Sequence, residues 1–363
     1  MKIFSWGANS YGQLSLGIQA EENVKPTEIK YENVKVLEVD NINGGGGHTL
    51  LLDKQGKVFG CGCNNHGQLT GNLKDNTVLM TSICALQTCV ITQIACGWDS
   101  SYALTQEGTV FVWGSNKYGQ LGISIEKVVI VKDPIKLDLD EVVQISAGLR
   151  HAALIHKDGS VYTSGSGRKG QLGVMGDNKS PVLHNDGFQK VIGVKNARQI
   201  SCGQHHIIAV TIDCKVFVWG DNKYGQLGLD PAKQSLVFEP RHLPLDHLGP
   251  LSANVVSYSG WTHCALLTGG EVINWGRNSY NQLGEKRELP WYPAKLSGLS
   301  EVKQLSLGSE HNLALLSTGS ILSWGWNEHG NCGCEGHDNV ETPVSVKLPG
   351  DCIKIGTGSG HNF

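Results

Sequence analysis

No stretch of the 363 residues approaches 18 consecutive apolar positions, the length that a membrane-spanning helix needs, and no membrane insertion is expected. There is no run of five or more like charges, and the formal net charge is only −3. That argues against a basic tail for nucleic acid and against a polybasic membrane anchor. No segment carries a sustained helical period, so a helical solenoid fails. Catalytic signatures are missing as well: Gly44-Gly-Gly-Gly47 is not followed by Lys-Ser/Thr and is no phosphate cradle, and no nucleophile motif or dinucleotide fingerprint occurs. No cofactor is expected. The 11 cysteines are odd in number and scattered, unlike a secreted disulfide framework. Their closest pairs, Cys61-x-Cys63 and Cys332-x-Cys334, have one intervening residue where zinc usually wants two, so no metal is expected. They read as small buried hydrophobes in a reducing compartment. The first residues, Met1-Lys-Ile-Phe-Ser-Trp6, are patterned like a strand rather than a signal or transit peptide.

Glycine, by contrast, is abundant, with 47 residues alongside 9 tryptophans, where an average protein has about 7% glycine. The reason is a repeat. A Trp-Gly-type doublet occurs seven times, as Trp6-Gly7, Cys61-Gly62, Trp113-Gly114, Ser164-Gly165, Trp219-Gly220, Trp275-Gly276 and Trp324-Gly325, at intervals of 55, 52, 51, 55, 56 and 49 residues. Five residues after each doublet glycine comes Gly-Gln-Leu, beginning at Gly12, Gly67, Gly119, Gly170 and Gly225; the sixth copy is Asn281-Gln-Leu and the seventh Gly330-Asn-Cys. Midway lies Gly-x-x-His, ending at His48, His151, His206, His263, His311 and His361, with Ser100 in the second repeat.

Between these motifs the chain runs in short β-branched stretches bounded by glycine or Asp-Gly turns, as in Val142–Ser146, His151–His156 and Val161–Ser164. Such stretches read as strands. Four strands in about 50 residues, repeated seven times, predict an all-β, seven-bladed β-propeller occupying residues 1–363 as a single domain. The first strand aligns with the last strand of a blade, so its partners should come from residues 353–363. Pairing of the N- and C-terminal strands would then close the ring and leave no unpaired edge. Because the chain stops two residues past His361, where other repeats continue the strand, the C-terminal strand reads as truncated and the natural protein as longer.

Strand parity places Gly-x-x-His and Gly-Gln-Leu on one face and the Asp-Gly-type hairpins on the other. The first face should gather His48, Asp99, Arg150, His151, His205, His206, Trp261, His263, Glu310, His311 and His361. The histidines recur with the repeat, which favours a hydrogen bond inside each blade. Asp99, Arg150, His205 and Glu310 differ between blades and are the candidates for recognition. Six regularly spaced histidines spread around a wide ring form no tetrahedral metal cluster.

The doublet, Gly-Gln-Leu-Gly and Gly-x-x-His at this spacing resemble the regulator of chromosome condensation repeat over the whole chain. Gly7-Ala-Asn-Ser-Tyr-Gly-Gln-Leu14, Ala95-Cys-Gly-Trp-Asp99, Ala147-Gly-Leu-Arg-His-Ala152, Ser259-Gly-Trp-Thr-His263 and Trp324-Gly-Trp-Asn-Glu-His-Gly330 look like its subgroup of secretion-regulating guanine nucleotide exchange factors. The resemblance implies a cytoplasmic and also nuclear propeller, and a monomer is expected. It implies a protein without chemistry of its own that acts on a small GTPase and is linked to an exocyst subunit and to regulated secretion. It further implies GTPase contact through Asp99, His206 and His361. An adaptor propeller without exchange activity is the competing reading, since a fold alone does not set function. A third class, plant ultraviolet photoreceptors of this fold, repeats Gly-Trp-Arg-His, which never occurs here.

Overall fold

Short extended runs punctuated by glycine give antiparallel sheets throughout the computed structural model, which describes residues 1–32, 34, 36 and 38–363. Among the described residues six sheets have four strands each, and a seventh has three. Blade 1 comprises Val39–Gly44, His48–Asp53, Val58–Cys63 and Asn76–Ser82. Blades 2 to 6 repeat this pattern through to Val340–Ser345. Among the described residues the only helical segments are the 3-10 turns Cys84–Leu86 and Asp246–Leu248. The architecture is the seven-bladed propeller that the repeat predicts.

Burial follows each strand's position in its blade. The second strands, such as His48–Asp53 and His206–Thr211, are buried along their whole length, because neighbouring blades cover both faces. Near-continuous apolar runs result in place of alternation. The outermost strands, such as Glu22–Glu28, are polar and half-exposed, with none of those seven residues buried.

Blade 7 joins the two ends of the chain. Phe4–Ala8 pairs with Glu22–Glu28 outside it, and Trp6 and Gly7 pair with Asn362 and His361 on its inner side. The innermost segment is held by reciprocal bonds between Gly356 and Phe363 (3.0 and 2.9 Å) and by a bridge from Thr357 to Asn362. The N- and C-terminal segments therefore close the ring with backbone hydrogen bonds.

Along the axial channel, glutamines on the innermost strands stitch neighbouring blades together. Gln199 accepts from Ser257 N (2.7 Å) and donates to Ser257 O (2.8 Å). Gln93, Gln144 and Gln304 do the same to Ile145, Ile200 and Ile355. Innermost strands of adjacent blades do not share a sheet, so a side-chain amide supplies the donor and acceptor that a neighbouring strand would have provided.

Candidate functional site

One bond fixes both loop sets on the same face. The residue after each doublet glycine donates its N–H to the carbonyl of the residue before the histidine position. The pairs are Cys63 to Gly47, Ser115 to Asp99, Ser166 to Arg150, Asp221 to His205, Arg277 to Thr262, Trp326 to Glu310 and Ala8 to Gly360, at 2.7–2.9 Å. This explains the doublet glycine. At Gly220 φ is +115°, and a Cβ would lie 2.4 Å from the His205 carbonyl oxygen, so only glycine permits the approach.

The recurring side chains behind this face join blades. Trp113, Trp219, Trp275 and Trp324 each donate an indole N–H (2.8–3.1 Å) to the carbonyl of Gln68, Gln171, Gln226 and Gln282 in the preceding blade, and Trp6 does so to Asn331. The histidines reach the other way. His48 bonds to Ser101 Oγ (3.0 Å), His361 to Thr49 Oγ1 (2.9 Å), His206 to Cys264 Sγ (3.0 Å), His263 to Asn312 Oδ1 (2.9 Å) and His311 to Asn362 Oδ1 (2.7 Å), each through Nε2. Ser101, Cys264, Asn312 and Asn362 donate onward to the same Gln or Asn carbonyl that accepts the tryptophan, and Thr49 donates to the Gln13 carbonyl, which accepts from Cys61, the residue in the tryptophan position of blade 1. The partner's donor is thus committed, so the imidazole is the donor and is neutral with its proton on Nε2.

This corrects the sequence expectation in two respects. The histidine bridges neighbouring blades instead of bonding within its own. Moreover, His48, His151, His206, His263, His311 and His361 are fully buried, lying beneath the face and not on it. Burial lowers their pKa from 6.5 to about 3 for His48, His151, His206 and His361, and to about 4 for His263 and His311. His151 has Ile207 where the others have a polar partner, and no hydrogen bond forms. At the joint between blades 2 and 3, Ser100 replaces histidine and Ser164 replaces tryptophan. There Ser100 and the Tyr102 hydroxyl relay to the Gln120 carbonyl (3.3 and 2.8 Å). The two departures from the repeat therefore meet at one joint, and a tyrosine spans both.

Of the non-recurring candidates, Arg150 is exposed, whereas Asp99, His205 and Trp261 are half-buried. Burial raises the Asp99 carboxyl and lowers His205. Glu310 departs from expectation. It is 7% exposed, bonded by Thr262 Oγ1 (2.8 Å) and Gln282 Nε2 (2.6 Å), and lies 3.7 Å from Arg277. Its pKa is raised by burial. Three side chains of blade 5 converge on it, which a solvated loop charge would not attract.

Position-by-position reading missed the aromatic and cationic residues around these candidates. Trp98, 41% exposed, meets Trp261 with ring centroids 5.3 Å apart, both lining the mouth of the axial channel. The Arg150 guanidinium lies 4.4 Å over Tyr118, and that of Arg277 lies 4.7 and 4.6 Å from Tyr224 and Tyr280. The signal in sequence is the residue before Gly-Gln-Leu or its variant, which is tyrosine at 11, 118, 224 and 280. Trp98, Trp261, Tyr118, Arg150 and His66 line one pocket beside Asp99. Buried thiols stay protonated, with Cys61, Cys202 and Cys332 pushed up to about 12 by burial. Among the described residues no group of His, Cys, Asp or Glu could hold a metal ion.

The RCC1-like domain model matches residues 2–363. The mouse secretion-regulating guanine nucleotide exchange factor is 35% identical over 99% of this chain and 82% of its own length. The ultraviolet-B receptor UVR8 of Arabidopsis thaliana is 30% identical over 86% of this chain and 70% of its own. Among solved structures, Prp20p from Saccharomyces cerevisiae superposes with a TM-score of 0.86 at 26% identity, covering 99% of this chain and 90% of that one.

Proposed function

We propose, from the premise that the chain belongs to the RCC1-like domain family, that it is a guanine nucleotide exchange factor. In this reading it docks a small GTPase on the face that carries Trp98 and Trp261. Relatives named as exchange factors support the general class, and Prp20p was described with its binding to Gsp1p and histones. The observation that carries the reading is the Trp98–Trp261 pair over the channel mouth, flanked by Arg150 on Tyr118 and by Arg277 between Tyr224 and Tyr280. Tryptophan, tyrosine and arginine at the centre of a patch are the residue types that dominate binding energy in protein interfaces.

Exchange needs no chemistry from the propeller. A GTPase holds its nucleotide through its own P-loop and Mg²⁺. A propeller that binds the nucleotide-free form more tightly weakens the nucleotide by the same factor. What the propeller contributes is a rigid surface, and the inter-blade bonds beneath the face supply that rigidity. The link to regulated secretion belongs to the same proposal, by likeness to relatives of that name; an exocyst subunit as partner, a monomeric state and a cytoplasmic and nuclear location are proposed with it on the motif resemblance alone.

The test is release of a fluorescent guanine nucleotide from a panel of purified small GTPases, together with capture of their nucleotide-free forms. Faster release from at least one GTPase, lost in Trp98→Ala and retained in the opposite-face control Asp158→Ala, is the expected result. Unchanged release across the panel, with nucleotide-free and loaded forms captured equally, would leave the adaptor reading in its place.

A further inference from the structure

The overall charge of −3 conceals a polarised face. Consider only the segments at the inner rim: those preceding the histidine position and those between the doublet and Gly-Gln-Leu. All six cations there, Lys117, Arg150, Arg168, Lys169, Lys223 and Arg277, belong to blades 2 to 5. The acids interspersed with them are withdrawn. Asp221 and Glu310 are buried, and Asp99 is half-buried. Further out on the same blades opposite charges pair locally, as Lys233 with Asp230 and Arg287 with Glu285. In the same segments blades 6 and 7 carry no cation, and Glu328 is their exposed acid; further out on those two blades lie Glu21, Glu22, Glu335 and Asp338.

Two of the cations are built in place. Arg277 lies between two tyrosine rings, its Nε donates to Ser279 Oγ (2.6 Å), and the buried Glu310 carboxylate stands 3.7 Å behind it. The Arg150 guanidinium lies over the Tyr118 ring, 4.4 Å from its centroid. Side chains held this way lose little further freedom on binding, and arginine suits paired recognition of carboxylates.

We infer that the arc over blades 2 to 5, from Lys117 through Arg150 to Arg277, docks an acidic segment of a protein partner. It rests on the reading of this face as the docking face and specifies the partner's charge. An extended polyanion fits less well. A nucleic-acid duplex spanning all six cations would run on toward Glu328 of blade 6 and, with its bases stacked inside, would leave the tryptophan pair unused; a single strand could stack its bases on that pair and is the alternative that the DNA probe tests. A short acidic surface with an apolar centre meets both features. The arc also differs from the contacts that the family resemblance implies, since His206 and His361 are buried.

The experiment uses the full chain and three fluorescent probes: a decaglutamate peptide, a decalysine peptide and a single-stranded DNA of equal charge. The triple variant Arg150→Glu/Lys169→Glu/Lys223→Glu is compared with a hairpin-face control, Lys54→Glu/Lys157→Glu/Lys215→Glu. Circular dichroism and melting temperature verify that both variants are folded. Wild type and control should bind decaglutamate with an affinity that falls as salt rises, and the arc variant should bind about tenfold or more weakly. Decalysine should not compete. Equal loss in the control, or no decaglutamate binding by wild type, overturns the inference; tighter binding of DNA than of decaglutamate overturns it in favour of a nucleic-acid surface. Nucleotide release with the same variants separates the two proposals. Decaglutamate binding without exchange sinks only the GTPase reading, and exchange that survives arc reversal sinks only this one.

Discussion

Mild acid should unfold this propeller through its own joints. Six histidines are buried and neutral, with pKa values of about 3 to 4 against 6.5 when exposed. A histidine whose folded pKa is depressed leaves stability untouched above 6.5. As pH falls below 6.5 the unfolded chain takes up a proton that the folded one refuses, and stability is lost until the folded pKa is reached. The loss is about 0.8 kcal/mol per histidine at pH 6 and about 2 kcal/mol at pH 5. For six histidines that is about 5 kcal/mol at pH 6, comparable with the entire stability of many domains, roughly 5–15 kcal/mol. Asp99 and Glu310, raised by burial, oppose the trend because they take up protons more readily when folded, but they are two groups against six. Guanidinium unfolding midpoints measured between pH 8 and 5.5 should therefore be level above about pH 7 and then fall steeply. The variant His48→Gln should reduce the pH dependence by about one proton, whatever it does to stability at pH 8. A midpoint unchanged from pH 7.5 to 5.5, or resonances assigned to these six imidazoles titrating near 6.5 in the folded protein, would refute the reasoning.

Other consequences concern single positions. Trp219→Ala removes a fully buried indole and its bond to Gln171 and should cost about 3–5 kcal/mol in denaturant unfolding. Glu310→Ala should destabilise by about 1–3 kcal/mol because Thr262 and Gln282 lose their buried acceptor, whereas Arg150→Ala, on the surface, should stay within about 0.5 kcal/mol; equal melting temperatures for the two would contradict the placement of Glu310. Ile207→Thr should come within about 1 kcal/mol of wild type, since the new hydroxyl can accept from His151 and donate to Gln171 as Thr49 does for His361 and Gln13. Ile208→Thr, with no such partner, should be clearly less stable by the same unfolding assay.

The seven doublets and their spacing determined the fold, because a period of about 50 residues with four β-branched stretches has one closed solution. Strand parity likewise determined which loops share a face. Composition indicated why glycine was abundant, although the reason at each doublet, the carbonyl pressed 2.4–2.6 Å from where a Cβ would sit, is a contact between two segments of one blade. What lay beyond the sequence was everything decided between blades. A histidine at the head of a strand looks alike in each repeat, and its hydrogen-bond partner is Ser101, Cys264 or Asn312 about one repeat away in the chain. Glu310 reads as a loop charge until Thr262, Gln282 and Arg277 of the neighbouring blade close on it. Trp98 and Trp261 belong to blades 2 and 5 and meet only because the ring brings their loops over one channel. Local pattern sets which way a strand runs and which loops share a face; burial and pairing depend on packing against residues distant in the chain, and only the closed ring brings those together.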